Sequence, residues 1–133
     1  MVDNLDRQAR SRVMASIRGK NTVPELIVRK HLWSLGKRYR KHDRSVPGTP
    51  DISNRRKKVA VFIDGCFWHG CSECYKEPTS HVSFWRRKLQ YNKKRREQVT
   101  KVLQAERWTV VQYWEHEAIS QPDHVARKIA RLM

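Results

Sequence analysis

The sequence predicts an α/β fold in which a mixed sheet is flanked by helices, and three observations carry that prediction. Short β-branched runs, KVAVFI and WTVVQYW, alternate with longer stretches that repeat apolar residues at helical spacing. Strands and helices in alternation favour a layered sandwich over a barrel. A length of 133 residues suits one compact domain, and no repeat, low-complexity tract or linker divides it.

Residues 1–20 are polar and Arg-rich, with Val13, Met14 and Ile17 as a short apolar stripe. They read as a helical N-terminal arm, either weakly docked or able to reach along a nucleic-acid backbone. TVPELIVRKHLWSLG predicts a helix over 23–35: Thr22 caps it, Pro24 lies in its first turn, and Gly36 ends it. Ile27, Val28, His31, Leu32 and Leu35 share one face, with His31 as a packed core histidine. Glu25, three residues after the cap, completes a capping box whatever else it does. KRYRKH is a short strand, and the two prolines and glycine of SVPGTPD force a turn before Asp51. DIS resumes extended chain, NRRKK turns a hairpin, and KVAVFI is a buried strand. Asp51 and Asp64 therefore fall at the same end of the hairpin, where they can meet. Ser83 can cap a long helix to about Gln104, with Trp85, Leu89, Asn92, Arg96, Val99 and Leu103 in one stripe. WTVVQYW is a second buried strand, and QPDHVARKIARLM a closing helix with Val125, Ile129 and Leu132 on one face.

Lys and Arg number 29 against 13 Asp and Glu, a formal net charge of +16 with a pI of about 10.4. That excess needs a polyanion, and nucleic acid fits because a basic chain gains affinity by releasing counterions condensed on phosphates. The charge is spread from Arg7 to Arg131 instead of being gathered on one membrane-surface helix. No segment reaches the roughly eighteen apolar residues of a membrane span, and no signal-peptide core opens the chain, so a cytoplasmic protein with no membrane partner is expected.

Cys66, Cys71 and Cys74 form a C-x4-C-x2-C cluster. An odd, crowded set cannot complete a disulfide framework, whereas three thiolates supply all but one ligand of a tetrahedral zinc. His69, inside the loop, or His116, just past WTVVQYW, could be the fourth. A closed structural Zn²⁺ suits a short loop in a small domain. Free buried thiols and a catalytic zinc with an open position are the other readings.

Asp51 follows Pro50, and Asp64 comes thirteen residues later on the next strand. Carboxylates converging beside a basic surface are what a divalent cation needs to hold a phosphodiester. With Glu25 on the preceding helix, this is the outline of a single-domain PD-(D/E)xK, restriction-endonuclease-like core. The position two after Asp64, where a lysine is usual, is Cys66, so a different base is required. His69 is the natural one, since an imidazole is partly neutral at pH 7. Either aspartate could instead simply close a turn.

The segments SRVMASIRGKNTVPE, SVPGTPDI, VFIDGCFWHGC, FWRRKLQYNKKR and WTVVQYWEHE together resemble the very short patch repair (Vsr) DNA mismatch endonucleases, over roughly residues 11 to 117. The resemblance implies an enzyme that nicks duplex DNA 5′ to the T of a T:G mismatch left by deamination of 5-methylcytosine, initiating very short patch repair. It implies Mg²⁺ at Asp51, helped by the backbone carbonyl of Ile63, with His69 as general base and Glu25 supporting the metal or its water. It assigns a structural Zn²⁺ to Cys66, Cys71, Cys74 and His116, which frees His69. Phe67, Trp68 and Trp85 match an aromatic wedge that enters the duplex beside the mismatch, where a wobble pair is cheaper to unstack; ordinary core packing is their alternative role. Lys93, Lys94 and Arg95 would meet the DNA backbone, and Asn92 would support the active centre.

One position varies within the family and another departs from its pattern. Asp64 stands where some members have His, leaving it as a second carboxylate or an electrostatic helper. Arg96 stands where an acid is common, so that acid's role is dispensable or supplied elsewhere, or Arg96 contacts phosphate. The expected partner is T:G-mismatched DNA, with mismatch-repair proteins and a cognate cytosine-5 methyltransferase as candidate associates of a monomer in the bacterial cytoplasm, at the nucleoid. Two alternatives are a related nuclease acting on a restriction-type site or mobile-element end, and a non-catalytic zinc-containing DNA-binding module.

Overall fold

The computed structural model describes residues 22–133, apart from the side chains of Phe67 and Trp68; the arm expected over residues 1–20 lies outside the described residues. In chain order the elements are α1 (Val23–Ser34), β1 (Arg40–Lys41), β2 (Ile52–Asn54), β3 (Val59–Asp64), α2 (Cys66–His69), α3 (Val82–Ala105), β4 (Thr109–Trp114), α4 (Glu115–Ser120) and α5 (Pro122–Leu132). They form one four-stranded mixed sheet in the order β1-β2-β3-β4. The first two pairings are antiparallel, with Ile52 opposite Val61, and β3 runs parallel to β4, with Ile63 beside Tyr113. A parallel pair needs a long crossover, supplied here by α2 and α3.

β3 is the axis of the fold because all six of its residues are buried, so both of its faces must be covered. Val59, Val61 and Ile63 pack with Val28 and Leu32 of α1, Ala118 of α4, and Val125, Ala126 and Ile129 of α5. On the opposite face Ala60 and Phe62 pack with Val46 and with Leu103 of α3, joined by Val99, Trp108 and Val110. Helices therefore cover the sheet on two sides, and the C-terminal end of β3 opens where these layers meet α2.

The predicted stripe on α3 is observed: Trp85, Leu89, Asn92, Arg96 and Val99 are half-buried and Leu103 fully buried, while Arg86, Arg87, Lys88, Lys93, Lys94 and Arg95 are exposed. Several expectations change. Thr22 occupies the cap position of α1 but makes no side-chain cap bond, and Glu25 is buried instead of closing a capping box. His31 is only half-buried and Leu35 lies 42% exposed beyond the helix end, so neither is core. α3 starts at Val82, with His81 at its cap in the left-handed region, which puts Ser83 inside the first turn. WTVVQYW is an edge strand, half-exposed because only β3 flanks it. The cysteine loop opens with a helical turn, α2, and a further helix, α4, follows β4 directly; the sequence patterns announced neither. No helix among the described residues is long and apolar enough to cross a membrane.

Two glycines test the packing. Gly36 and Gly48 both have positive φ, +77° and +79°, but a Cβ on Gly36 meets open space, whereas one on Gly48 would run into Val99 and approach Phe62 Cζ at 3.3 Å. Gly36→Ala should therefore cost about 1 kcal/mol of left-handed backbone strain. Gly48→Ala should cost about 2–4 kcal/mol, because overpacking adds to that strain. Urea unfolding of the two variants checks the difference, and equal losses would mean that the turn before Asp51 does not press on α3.

Candidate active site and metal centre

Asp51 sits at the bend leading into β2, and its Oδ2 accepts a hydrogen bond of 2.7 Å from the backbone N–H of Ile63. That bond ties the acid to the end of the central strand. Glu25, 1% exposed, reaches the same place from α1. Between them lies His42, with Nε2 3.0 Å from Glu25 Oε2 and Nδ1 3.7 Å from Asp51 Oδ1. Donor atoms of Glu25, His42 and Asp51 all fall within 4.8 Å of one another. His42 is held there at φ +48°, a left-handed conformation that a non-glycine residue adopts only when its surroundings impose it. Burial, followed by the charge of Glu25, pushes the Asp51 carboxyl up to about 8. Carboxylates crowded out of water in this way take up either a proton or a cation, so the donor set suits a hard divalent ion.

Asp64, at the last position of β3, takes a different set of partners. Arg96 of α3 binds it in a two-pronged contact, Nε to Oδ2 at 3.0 Å and Nη2 to Oδ1 at 2.6 Å, and Gln112 Nε2 donates to Oδ2 at 2.7 Å. The Arg96 guanidinium lies over the Phe62 ring at 3.8 Å. Asp64 adds to the upward push on Asp51, so the two acids sense each other at the same end of the hairpin, but Asp64 does not join the Glu25–His42–Asp51 group. His69 closes the far side, its Nε2 3.5 Å from Asp64 Oδ1. Burial lowers the His69 pKa from its ordinary 6.5, opposed by Asp64 and reinforced by Arg96, which favours the neutral imidazole.

Cys66, Cys71 and Cys74 converge on one ring nitrogen, with His116 Nδ1 at 3.3, 3.6 and 3.4 Å from the three sulfurs. Ligands at zinc–sulfur and zinc–nitrogen distances of ~2.3 and ~2.05 Å in a tetrahedron stand about 3.6 Å apart, so this donor set fits zinc. The His116 Nε2 lies 3.1 Å from Glu73 Oε2, which leaves Nδ1 to face the sulfurs. Helix α4 supports the arrangement: Glu115 Oε1 accepts the Cys66 N–H at 3.0 Å, and Glu117 Oε1 accepts the Trp114 N–H at 3.1 Å. Burial and the neighbouring thiols push Cys66 up to about 12, and thiols in that state ionise when a metal displaces their protons. The loop rests closely on α3, because a Cβ on Gly70 (φ +68°) would lie 2.9 Å from both Leu89 Cδ1 and Lys93 Cε.

The site residues thus fall into three adjoining groups at the end of β3: Glu25 and Asp51 with His42, Asp64 with His69 and Arg96, and the thiol cluster with His116. Lys93, Lys94 and Arg95 are exposed on α3, while Asn92 and Trp85 lie on its half-buried side, Trp85 edge-on to Phe84 at 5.1 Å. The side chains of Phe67 and Trp68 lie outside the described residues. His42 was given no role from sequence; its one signal there is a histidine in the short stretch between the Glu25 helix and Asp51. Arg96 had a plainer signal, an arginine on an otherwise inward-facing helix stripe.

A family model described as DNA mismatch endonuclease Vsr matches residues 2–76. The chain is 38% identical over 133 residues to the type II nicking enzyme V.HpaIIP of Haemophilus parainfluenzae, covering 98% of this chain and 94% of that one. It is 38% identical over 130 residues to the type II nicking enzyme V.NmeDIP of Neisseria meningitidis serogroup C, covering 96% and 88%. With the DNA mismatch endonuclease Vsr of Escherichia coli strain K12 it shares 33% identity over 117 residues, covering 86% and 74%. A match over more than half of the chain, joined to relatives that span nearly all of it, places this protein in the Vsr family of DNA endonucleases.

Proposed function

We propose that this endonuclease nicks duplex DNA on the 5′ side of the T in a T:G mismatch, the product of 5-methylcytosine deamination, and so opens very short patch repair. The observation that carries the chemistry is the Glu25–His42–Asp51 donor group, its two acids buried, on one side of the end of β3, with a neutral His69 on the other. The mismatch as substrate rests on the family and on the E. coli relative named for it. Asp51 would hold Mg²⁺ together with the carbonyl of Ile63, and Glu25 would support the ion or its water. The hairpin acids and the helix-borne Glu25 fit a PD-(D/E)xK-type arrangement, with His69 replacing its lysine.

When bound, the Mg²⁺ supplies positive charge to the scissile phosphate and its developing oxyanion. His69 takes the proton of the attacking water, a task for which its depressed pKa leaves it neutral at physiological pH. The exposed Lys93, Lys94 and Arg95 attract the phosphate backbone, and the aromatic residues Phe67, Trp68 and Trp85 wedge beside the weak pair. Cys66, Cys71, Cys74 and His116 would hold Zn²⁺, which would fix the loop that carries His69.

The direct test is nicking of a labelled duplex with one T:G mismatch beside its fully paired twin, with Mg²⁺ and with EDTA. A Mg²⁺-dependent nick 5′ to the mismatched T and absent from the twin is expected; equal cutting of both would point to another specificity. Asp51→Asn should abolish nicking and also alter stability. The folded-state pKa of Asp51 lies above its ordinary 3.8, at about 8, so across that window the folded chain holds a proton that the unfolded chain releases. Stability without added Mg²⁺ therefore falls as pH rises from about 4 to about 8. Asp51→Asn should remove part of that fall and stabilise the Mg²⁺-free chain at pH 7 by about 1 kcal/mol. A variant that melts lower than wild type would contradict the strained acid pair. Cys74 is solvent-exposed, so Cys74→Ser leaves no cavity; it should nevertheless lose zinc and on the order of 3 kcal/mol of stability. Retention of both metal and melting temperature would show that the cluster is not a zinc site.

A further inference from the structure

Asp64 and Arg96 are in direct contact. The carboxylate of Asp64, 3% exposed, accepts two bonds from Arg96 and one from Gln112, which fixes its orientation and leaves the flank of Oδ1 toward His69 Nε2. Arg96 is fixed in turn by its stacking on Phe62 and by its place in the middle of α3. Its side chain is only 22% exposed. The opposite nitrogen of the imidazole, His69 Nδ1, is buried and makes no hydrogen bond among the described residues.

We infer that Arg96 is a positioning residue of the active centre: through Asp64 it holds the His69 ring with its Nε2–H toward the acid and its Nδ1 lone pair toward the reacting water. This rests on His69 being the general base. With three donors engaged and the remaining flank of Oδ1 facing His69, Asp64 is already surrounded by hydrogen-bond donors, and its duty is to orient. The alternative, that Arg96 reaches out to a DNA phosphate, would require it to abandon a buried carboxylate and leave that charge unpaired, a costly exchange for one contact at the protein surface.

Three variants test the inference, Arg96→Met, Asp64→Asn and the double variant, each assayed for single-turnover nicking, DNA affinity at several salt concentrations, and melting temperature. The expected result is a nicking rate lowered roughly 100-fold in each single variant, with DNA affinity and its salt slope unchanged and the double variant no slower than the slower single one. Should Arg96→Met fail to fold because Asp64 is stranded, the double variant, which removes both charges, carries the test with the same expectation. A wild-type nicking rate in the variants overturns the inference. So does weakened binding with a salt slope reduced by about one and an intact rate, the mark of a lost phosphate contact. A wild-type chain that nicks no mismatched duplex overturns the functional reading beneath it, an outcome distinct from equal rates in wild type and variant.

Discussion

The C-terminal end of β3 is the constraint on which the rest depends. Because the strand is buried on both faces, its last residues are carried with almost no freedom to the junction of the helical layers. Ile63 presents its backbone N–H to Asp51, Asp64 faces α3, and Cys66, two residues on, begins the thiol cluster. Three groups are thereby placed within four residues of chain: an acid beside Glu25 and His42, an acid against a histidine, and the first thiol of the cluster. In an open α/β sheet this is also where a ligand crevice forms, beyond the carboxyl ends of the parallel strands.

The two aspartates show how neighbours divide similar side chains between different tasks. Asp51 is crowded by another carboxylate and is driven toward holding a proton or a cation. Asp64 is more deeply buried still, yet it is paired by an arginine and an amide, so its charge is already compensated. Such an arrangement costs stability on the Asp51 side and supplies rigidity on the Asp64 side. His69 stands against the rigid acid, its Nε2 3.5 Å from Asp64 Oδ1.

Much of this was legible in the sequence. The five-residue apolar run of β3, the turn chemistry of SVPGTPD and the i, i+4, i+7 stripe of α3 placed the hairpin, the acids and the long helix correctly, because burial periodicity dominates in long elements. The thiol cluster was evident from spacing, and His116 was one of two histidines that spacing left open. What stayed hidden depends on contacts between elements. Glu25 satisfied a capping pattern so well that its turn into the core could not be read locally. α4 is too short to carry a periodic signal, and α2 is a single turn. His42 reaches the acids through a strained backbone that no propensity favours. For Arg96 the sequence left a phosphate contact or a replaced acid open, and its pairing with Asp64 became visible only from the packing of α3 against the end of β3.

In the proposed mechanism the two acids at the end of β3 have separate duties, and the thiol cluster is a third, independent site. Anomalous diffraction from crystals soaked in Mn²⁺, recorded also at the zinc edge, tests this most directly. The expected map has a manganese peak against Asp51, a zinc peak among Cys66, Cys71, Cys74 and His116, and no metal on Asp64. A manganese peak bridging Asp51 and Asp64, with Arg96 displaced, or a thiol cluster without zinc, would contradict the account.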